Sequence, residues 1–209
     1  WSAGPSSYWF VQGGSLSTTT LSNGYTSSVN YTRLTDLADF TYQVRMKMNG
    51  TDNIQGLIVR GVPTYDYYND WENGYYFYME QVEYENNKYA CFSAVQIEDG
   101  DWNYSDSYCY DPSFFELNKW NDFRVVAVGN NLRFYVNDYP IFNVSGSGST
   151  NGRVGIVTLS WGTSSSTLYV DWAKAGTPGL ISPVNEKLLK PALTLPASTS
   201  KFYQMHNKQ

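Results

Sequence analysis

The sequence is short of charge. Asp, Glu, Lys and Arg make up 16% of its 209 residues, against about a quarter in an ordinary soluble domain. That shortage excludes a coiled coil or helical bundle, which are built on Glu, Lys, Ala and Leu. Positive charge is scarcer still: 14 Lys and Arg against 19 Asp and Glu leave a net charge of −5, so a nucleic acid gripped through its phosphates is not the expected partner. No run of 18 apolar residues occurs, so no membrane-spanning helix is expected. Histidine is almost absent. The only one, His206, stands in the last four residues, and a His-based triad would require that end of the chain to fold into the body. The chain starts at Trp1 and reads as a processed, mature polypeptide. It contains no periodic repeat.

Aromatic and β-branched residues are abundant. Aromatics reach 17%, with 19 Tyr and 7 Trp, and 42% of the chain is hydrophobic, enough for a packed core. Phe40 to Met48 alternates, with Phe40, Tyr42, Val44, Met46 and Met48 on one face. Tyr8–Val11 and Ser15–Ser17 flank Gly13-Gly14. Phe123–Val128 turns at Gly129-Asn130 into Leu132–Val136, and Asn137-Asp138 turns again before Ile141-Phe142. Ile54–Gly61, Gly74–Gln81, Val154–Leu159 and Leu168–Ala175 add further strands. About a dozen short strands separated by turn residues predict an all-β antiparallel sandwich. Only Leu34-Thr35-Asp36-Leu37 reads as a helical turn.

The two cysteines are Cys91 and Cys109. The segment between them reads as a hairpin turning at Glu98–Asp101. A three-residue loop at 99–101 makes paired positions sum to a constant that sets Cys91 opposite Cys109, close enough to bridge. A disulfide, and with it an oxidising extracellular or cell-surface location, is therefore expected.

Composition changes at Gly176. Residues 176–209 contain Pro178, Pro183, Pro191 and Pro196 and show no lasting alternation. Four lysines against Glu186 give this tail +3, leaving −8 on residues 1–175. Each ordered backbone residue costs about 1–2 kcal/mol of entropy, so such a tail can be ordered only if something binds it. That something is its own body or a neighbouring copy.

The body resembles the concanavalin A-like, laminin-G-like jelly-roll domains of secreted and cell-surface proteins. The carriers are Trp9–Leu16, Asp39–Met46, Gly56–Gly61, Asn73–Phe77, Trp120–Val125, Leu132–Asn137, Gly152–Ile156 and Tyr169–Trp172, in order along residues 8–175. The resemblance implies a two-sheet jelly roll, a fold that hosts lectins, glycosidases, adhesion modules and structural subunits alike. It also implies a structural calcium, for which Asp66, Asn69, Asp70 and Glu72 supply hard oxygen ligands in one loop. Retaining glycosidases of this fold are expected to carry Glu-x-Asp-x-x-Glu on a strand, and that pattern is absent. The nearest substitute is Glu80, Glu83 and Glu85, which reads as a solvated acidic face. Secreted domains that act on keto-sugars are similar too, but their catalytic signature cannot be placed. No enzyme is expected.

Carbohydrate recognition needs rings that stack on sugar C–H faces. Tyr65, Tyr67, Tyr68 and Trp71 lie in one polar loop, and Trp102 on the cysteine hairpin could join them. Four glycosylation sequons begin at Asn30, Asn49, Asn103 and Asn143, a number this Asn, Ser and Thr content supplies by chance. Two functional expectations follow. The first is a subunit of a self-assembling filament or fibre, a homopolymer joined when Leu188, Leu189, Leu193 and Leu195 of the tail enter a neighbour's sheet by strand addition. The alternative is a carbohydrate-binding or adhesion module whose partners are glycans.

Overall fold

The computed structural model describes residues 1–3, 9–20, 26–50, 53–64, 71–84, 87–110, 114–116, 118–160 and 166–178. Fourteen strands form among them: β1 Ser2–Ala3, β2 Trp9–Gln12, β3 Ser15–Thr20, β4 Thr26–Asn30, β5 Phe40–Asn49, β6 Asn53–Pro63, β7 Trp71–Tyr84, β8 Asn87–Glu98, β9 Asp101–Tyr110, β10 Asn121–Val128, β11 Asn131–Val136, β12 Tyr139–Ser145, β13 Arg153–Ser160 and β14 Ser166–Gly176. They build two seven-stranded sheets, in the orders β1-β4-β13-β6-β7-β8-β9 and β12-β11-β10-β5-β14-β3-β2. Every pairing is antiparallel.

The alternation in β5 decides what lies between the sheets. Phe40, Tyr42, Val44, Met46 and Met48 are all buried, while Gln43, Arg45 and Lys47 are half-exposed. From the other sheet Phe77 stacks on Phe134 at 5.2 Å, and Phe92 meets Phe134 at 6.4 Å. The tight turns follow their residues. Asn137 and Asp138 both take positive φ, 48° and 69°, in the two-residue turn from β11 to β12. Asn137 then ties that corner down: its Nδ2 donates to Phe114 O at 2.8 Å and its Oδ1 accepts from Asp122 N at 2.8 Å.

Cys91 and Cys109 are bonded, but not through the expected turn. The loop is two residues, Asp99-Gly100, with Glu98 facing Asp101. An extra residue at position 105, between the pairs Ala94–Asp106 and Val95–Tyr104, restores the register that sets the cysteines opposite each other. Residues 34–37 form no helical turn. Leu37 instead exchanges backbone hydrogen bonds with Gly152, at 2.9 and 3.2 Å.

Two arginines set in apolar runs find partners inside the fold. Arg60, 1% exposed and at φ 51°, donates to Ala38 O from Nε at 3.2 Å and from Nη2 at 2.8 Å, and to Gly129 O from Nη2 at 2.6 Å. It thereby ties β6 of the first sheet to the flanks of β5 and β10 in the second. Arg124 lies over the Tyr135 ring at 4.4 Å and 3.7 Å from Asp138. Trp120 and Trp172 are half-buried, with Lys47 over Trp120 at 5.1 Å and Lys174 over Trp172 at 4.3 Å.

Candidate functional site

Among the described residues, the central strands of the first sheet, β6, β7 and β8, carry buried side chains on both faces. Along β7, Tyr75, Phe77 and Met79 point between the sheets, so Tyr76, Tyr78 and Glu80 point to the outer face. There they meet Ile54 and Ile58 of β6, Val95 and Ile97 of β8 and Val157 of β13, a second apolar cluster separate from the sandwich core. Tyr76 and Tyr78 are 5.1 Å apart, and Trp102 of β9 stands edge-on to Tyr76 at 5.6 Å. Trp102 is half-buried and keeps part of its ring open. Ser93 donates to Ser107 at 3.0 Å in the same sheet, near the disulfide.

Glycines make room for these rings. A Cβ on Gly56 would come within 2.8 Å of Tyr76 Cε2, and one on Gly155 within 2.7 Å of Trp71 Cζ2. Trp71 also covers Gly61 so closely that a side chain there would collide with the indole. Glu80, 2% exposed, is the only buried carboxylate among the described residues. Burial raises the Tyr76 hydroxyl well above the usual tyrosine value, with Tyr78 and Glu80 adding to the effect. Tyr76, Tyr78, Glu80 and Trp71 are thus enclosed on this face, and of the cluster Trp102 is the ring that stays partly accessible among the described residues.

Several expectations change. Trp71, read as an exposed loop ring, is 4% exposed because Gly61 and Gly155 let it lie flat on the sheet. Glu80, read as part of a solvated acidic face, is buried among tyrosines. Asn30 is 8% exposed and its Oδ1 accepts from Arg153 Nη1 at 3.2 Å, so it is not presented for glycosylation. Asn49, Asn103 and Asn143 are exposed. Glu72 is exposed, and its carbonyl accepts from Gly100 N at 2.8 Å while Asn73 Oδ1 accepts from Asp99 N at 3.3 Å. Those two residues fasten the β8–β9 turn.

Tyr65, Asp66, Tyr67, Tyr68, Asn69 and Asp70 lie outside the described residues, as do Glu85, Leu188, Leu189, Leu193, Leu195 and His206. Among the described residues no group of three or more His, Cys, Asp or Glu is placed to hold a metal, and no helix is long and apolar enough to cross a membrane. The outer cluster escaped sequence reasoning because Tyr76 and Tyr78 alternate with core residues and look like the wet side of a strand. The signal that could have found it is the glycine set at 56, 61 and 155.

A family model described as a 3-keto-alpha-glucoside-1,2-lyase-like domain matches residues 1–166. No curated protein matches. Among solved structures, a carbohydrate-binding module, CBM66, from Bacillus subtilis is 16% identical with a TM-score of 0.63, covering 82% of this chain and 92% of its own. A legume lectin-like domain from Entamoeba histolytica is 14% identical with a TM-score of 0.60, covering 85% and 90%. The exoplasmic/lumenal domain of VIP36, in its Ca2+/Man3GlcNAc-bound form, is 13% identical with a TM-score of 0.60, covering 84% of each chain. At these identities the likeness shows the fold: a concanavalin A-like jelly roll. The disulfide suits an extracellular or lumenal domain.

Proposed function

Because this chain belongs to the 3-keto-alpha-glucoside-1,2-lyase-like domain family, we propose that it is a carbohydrate-handling domain that binds glycans without cleaving them, through the outer face of its first sheet. The observation that carries this reading is Trp102, partly open and braced edge-on by Tyr76 on the face the second sheet does not cover. A sugar ring laid on Trp102 gains C–H contact with the indole, and the bracing tyrosine fixes the indole in place before binding, which lowers the ordering cost. The carbohydrate-binding module and lectin-like domains that share the fold support the same reading. The test is a glycan panel followed by calorimetry on the best hit. Trp102→Ala is expected to weaken binding about tenfold. A wild-type chain that binds nothing on the panel refutes the reading.

The family description and buried Glu80 favour one second reading, a lyase acting on a 3-keto-glucoside. There the keto group acidifies the C2 proton, a carboxylate removes it, and the C1–O bond breaks as the C1–C2 double bond forms, the departing oxygen taking a proton from solvent. Glu80 is the carboxylate to test. Turnover of a 3-keto-glucoside by the wild-type chain, lost in Glu80→Gln, would establish it in place of the binding reading.

The expectation of a self-assembling filament yields to carbohydrate recognition, since the comparisons support glycan partners and lend nothing to assembly. We keep residues 1–175 as the domain and 176–209 as a tail docked in cis or on a neighbour. The end of β14 at Gly176 supports that boundary. Light scattering on the full chain and on a chain ending at Ala175 tests it.

A further inference from the structure

Apart from the outer face, the molecule has a second feature that the proposed function does not use. A cleft of about 330 Å3 opens between the sheets where β5 and β14 run past the end of β4. Tyr42, 1% exposed, lines it from within, and Tyr31, Ala173 and the stem of Lys174 form its walls. Trp1 and Leu34, 47% and 37% exposed, stand at its mouth. The Trp1 and Tyr31 rings are 5.2 Å apart and tilted by 60°, which makes an aromatic corner rather than a flat wall.

We propose that this cleft binds one neutral glycosyl residue, its C–H face on Trp1 and one of its hydroxyls on the Tyr42 phenol. Three observations converge on that ligand. The Tyr42 hydroxyl is buried and has no hydrogen-bond partner among the described residues, although buried hydroxyls are almost always bonded. A ligand entering the cleft supplies what the fold withholds. Next, no carboxylate lines the cleft among the described residues, and its one lining cationic side chain, Lys174, turns its ammonium to the Trp172 ring at 4.3 Å. Last, the volume sits at the small end of the range of about 300–1,000 Å3 found for small-molecule sites, which suits one sugar ring rather than a chain of them. The inference rests on the reading of the protein as carbohydrate-binding, but it concerns a site distinct from Trp102.

Titrating the full chain with methyl glucoside, methyl mannoside and methyl galactoside, while following the indole N–H resonances of Trp1 and Trp102, separates the two sites. Saturable movement of Trp1 with at least one of the three is expected. Tyr42→Phe, which removes a single oxygen, is expected to weaken that binding about tenfold while leaving Tm equal or higher. Trp1 unmoved by all three overturns the cleft, whatever Trp102 does. A Tyr42→Phe variant with unchanged affinity and a lower Tm also overturns it, because the phenol then serves only the fold. Trp1 moving while Trp102 stays still leaves the cleft standing and removes the Trp102 face instead.

Discussion

Replacing Arg60 by methionine tests how the two sheets are held together. The Arg60 guanidinium is fully enclosed and makes three N–H···O contacts to two carbonyls, Ala38 O and Gly129 O. It also lies 3.9 Å from Asp39, whose carboxylate accepts from Gly129 N at 2.8 Å. Methionine fills much of the same space but donates nothing, so both carbonyls lose a charge-assisted partner. A hydrogen bond to a charged group contributes about 1.5–3 kcal/mol, and breaking a buried polar network of this kind costs about 3–5 kcal/mol. In a chain of this size each kcal/mol moves Tm by about 2–4 °C, so a drop of about 6–20 °C is expected. The positive φ at position 60 is common to both residues and cancels in the comparison. Arg60→Lys is expected to fall between the two, because one ammonium replaces a fork that reaches two carbonyls. Asp39→Asn, at an acid that is 55% exposed, should cost less than about 1 kcal/mol. Urea titration monitored by tryptophan fluorescence gives the values. An Arg60→Met variant within about 1 kcal/mol of the wild type would show that the guanidinium merely occupies space and that the reasoning is wrong.

Three further outcomes can be checked directly. Reducing the Cys91–Cys109 bridge, or replacing both cysteines by serine, reopens a loop with a sequence separation of 18; the expected loss in urea is about 3 kcal/mol, and an unchanged midpoint would count against it. Gly155→Ala forces a methyl to within 2.7 Å of Trp71 and of Val29 O, so it should destabilise the fold by about 1–3 kcal/mol and shift indole emission, whereas wild-type stability would mean the Trp71 seat is loose. Burial raises the hydroxyls of Tyr42 and Tyr76 well above the usual value and that of Tyr110 to about 12. Because the folded state holds these protons more tightly than the unfolded state, stability is intact below pH about 10 and falls as pH climbs towards about 12; the full phenolate absorbance of all 19 tyrosines, reached while the fold persists, would contradict this.

Much of the architecture was legible locally. The alternation of Phe40 to Met48 identifies a strand with one wet face, and Asn137-Asp138 announces its turn. The cysteine pairing was legible for a different reason than the one that holds: a shorter turn and an extra residue at 105 compensate each other. What escaped depends on contacts between distant positions. Trp71 stands beside polar loop residues and reads as exposed, yet Gly155 in β13 and Gly61 in β6 decide its burial. Glu80 carries a charge and reads as solvated, but its neighbours Tyr76 and Tyr78 share an apolar face that no pattern within one strand reveals. The empty-handed phenol of Tyr42 is invisible in the sequence, since the same side chain satisfies the apolar period of β5.

The margins of the two sheets differ in what they would admit. Along one side of the sandwich run β9 and β12, brought together where Tyr108 meets Phe142 at 5.3 Å. Each is irregular: β9 holds the extra residue at 105, and β12 holds Pro140, which has no N–H to give, beside the extra residue Ile141. Such borders are poor templates for an incoming backbone, because the row of free N–H and C=O groups is broken partway. On the opposite side, β2 keeps an unbroken register with β3 and presents Phe10 and Val11, 41% and 76% exposed. Among the described residues, one flank of the domain is thus interrupted as a template for backbone pairing, while β2 on the other is continuous and carries apolar side chains.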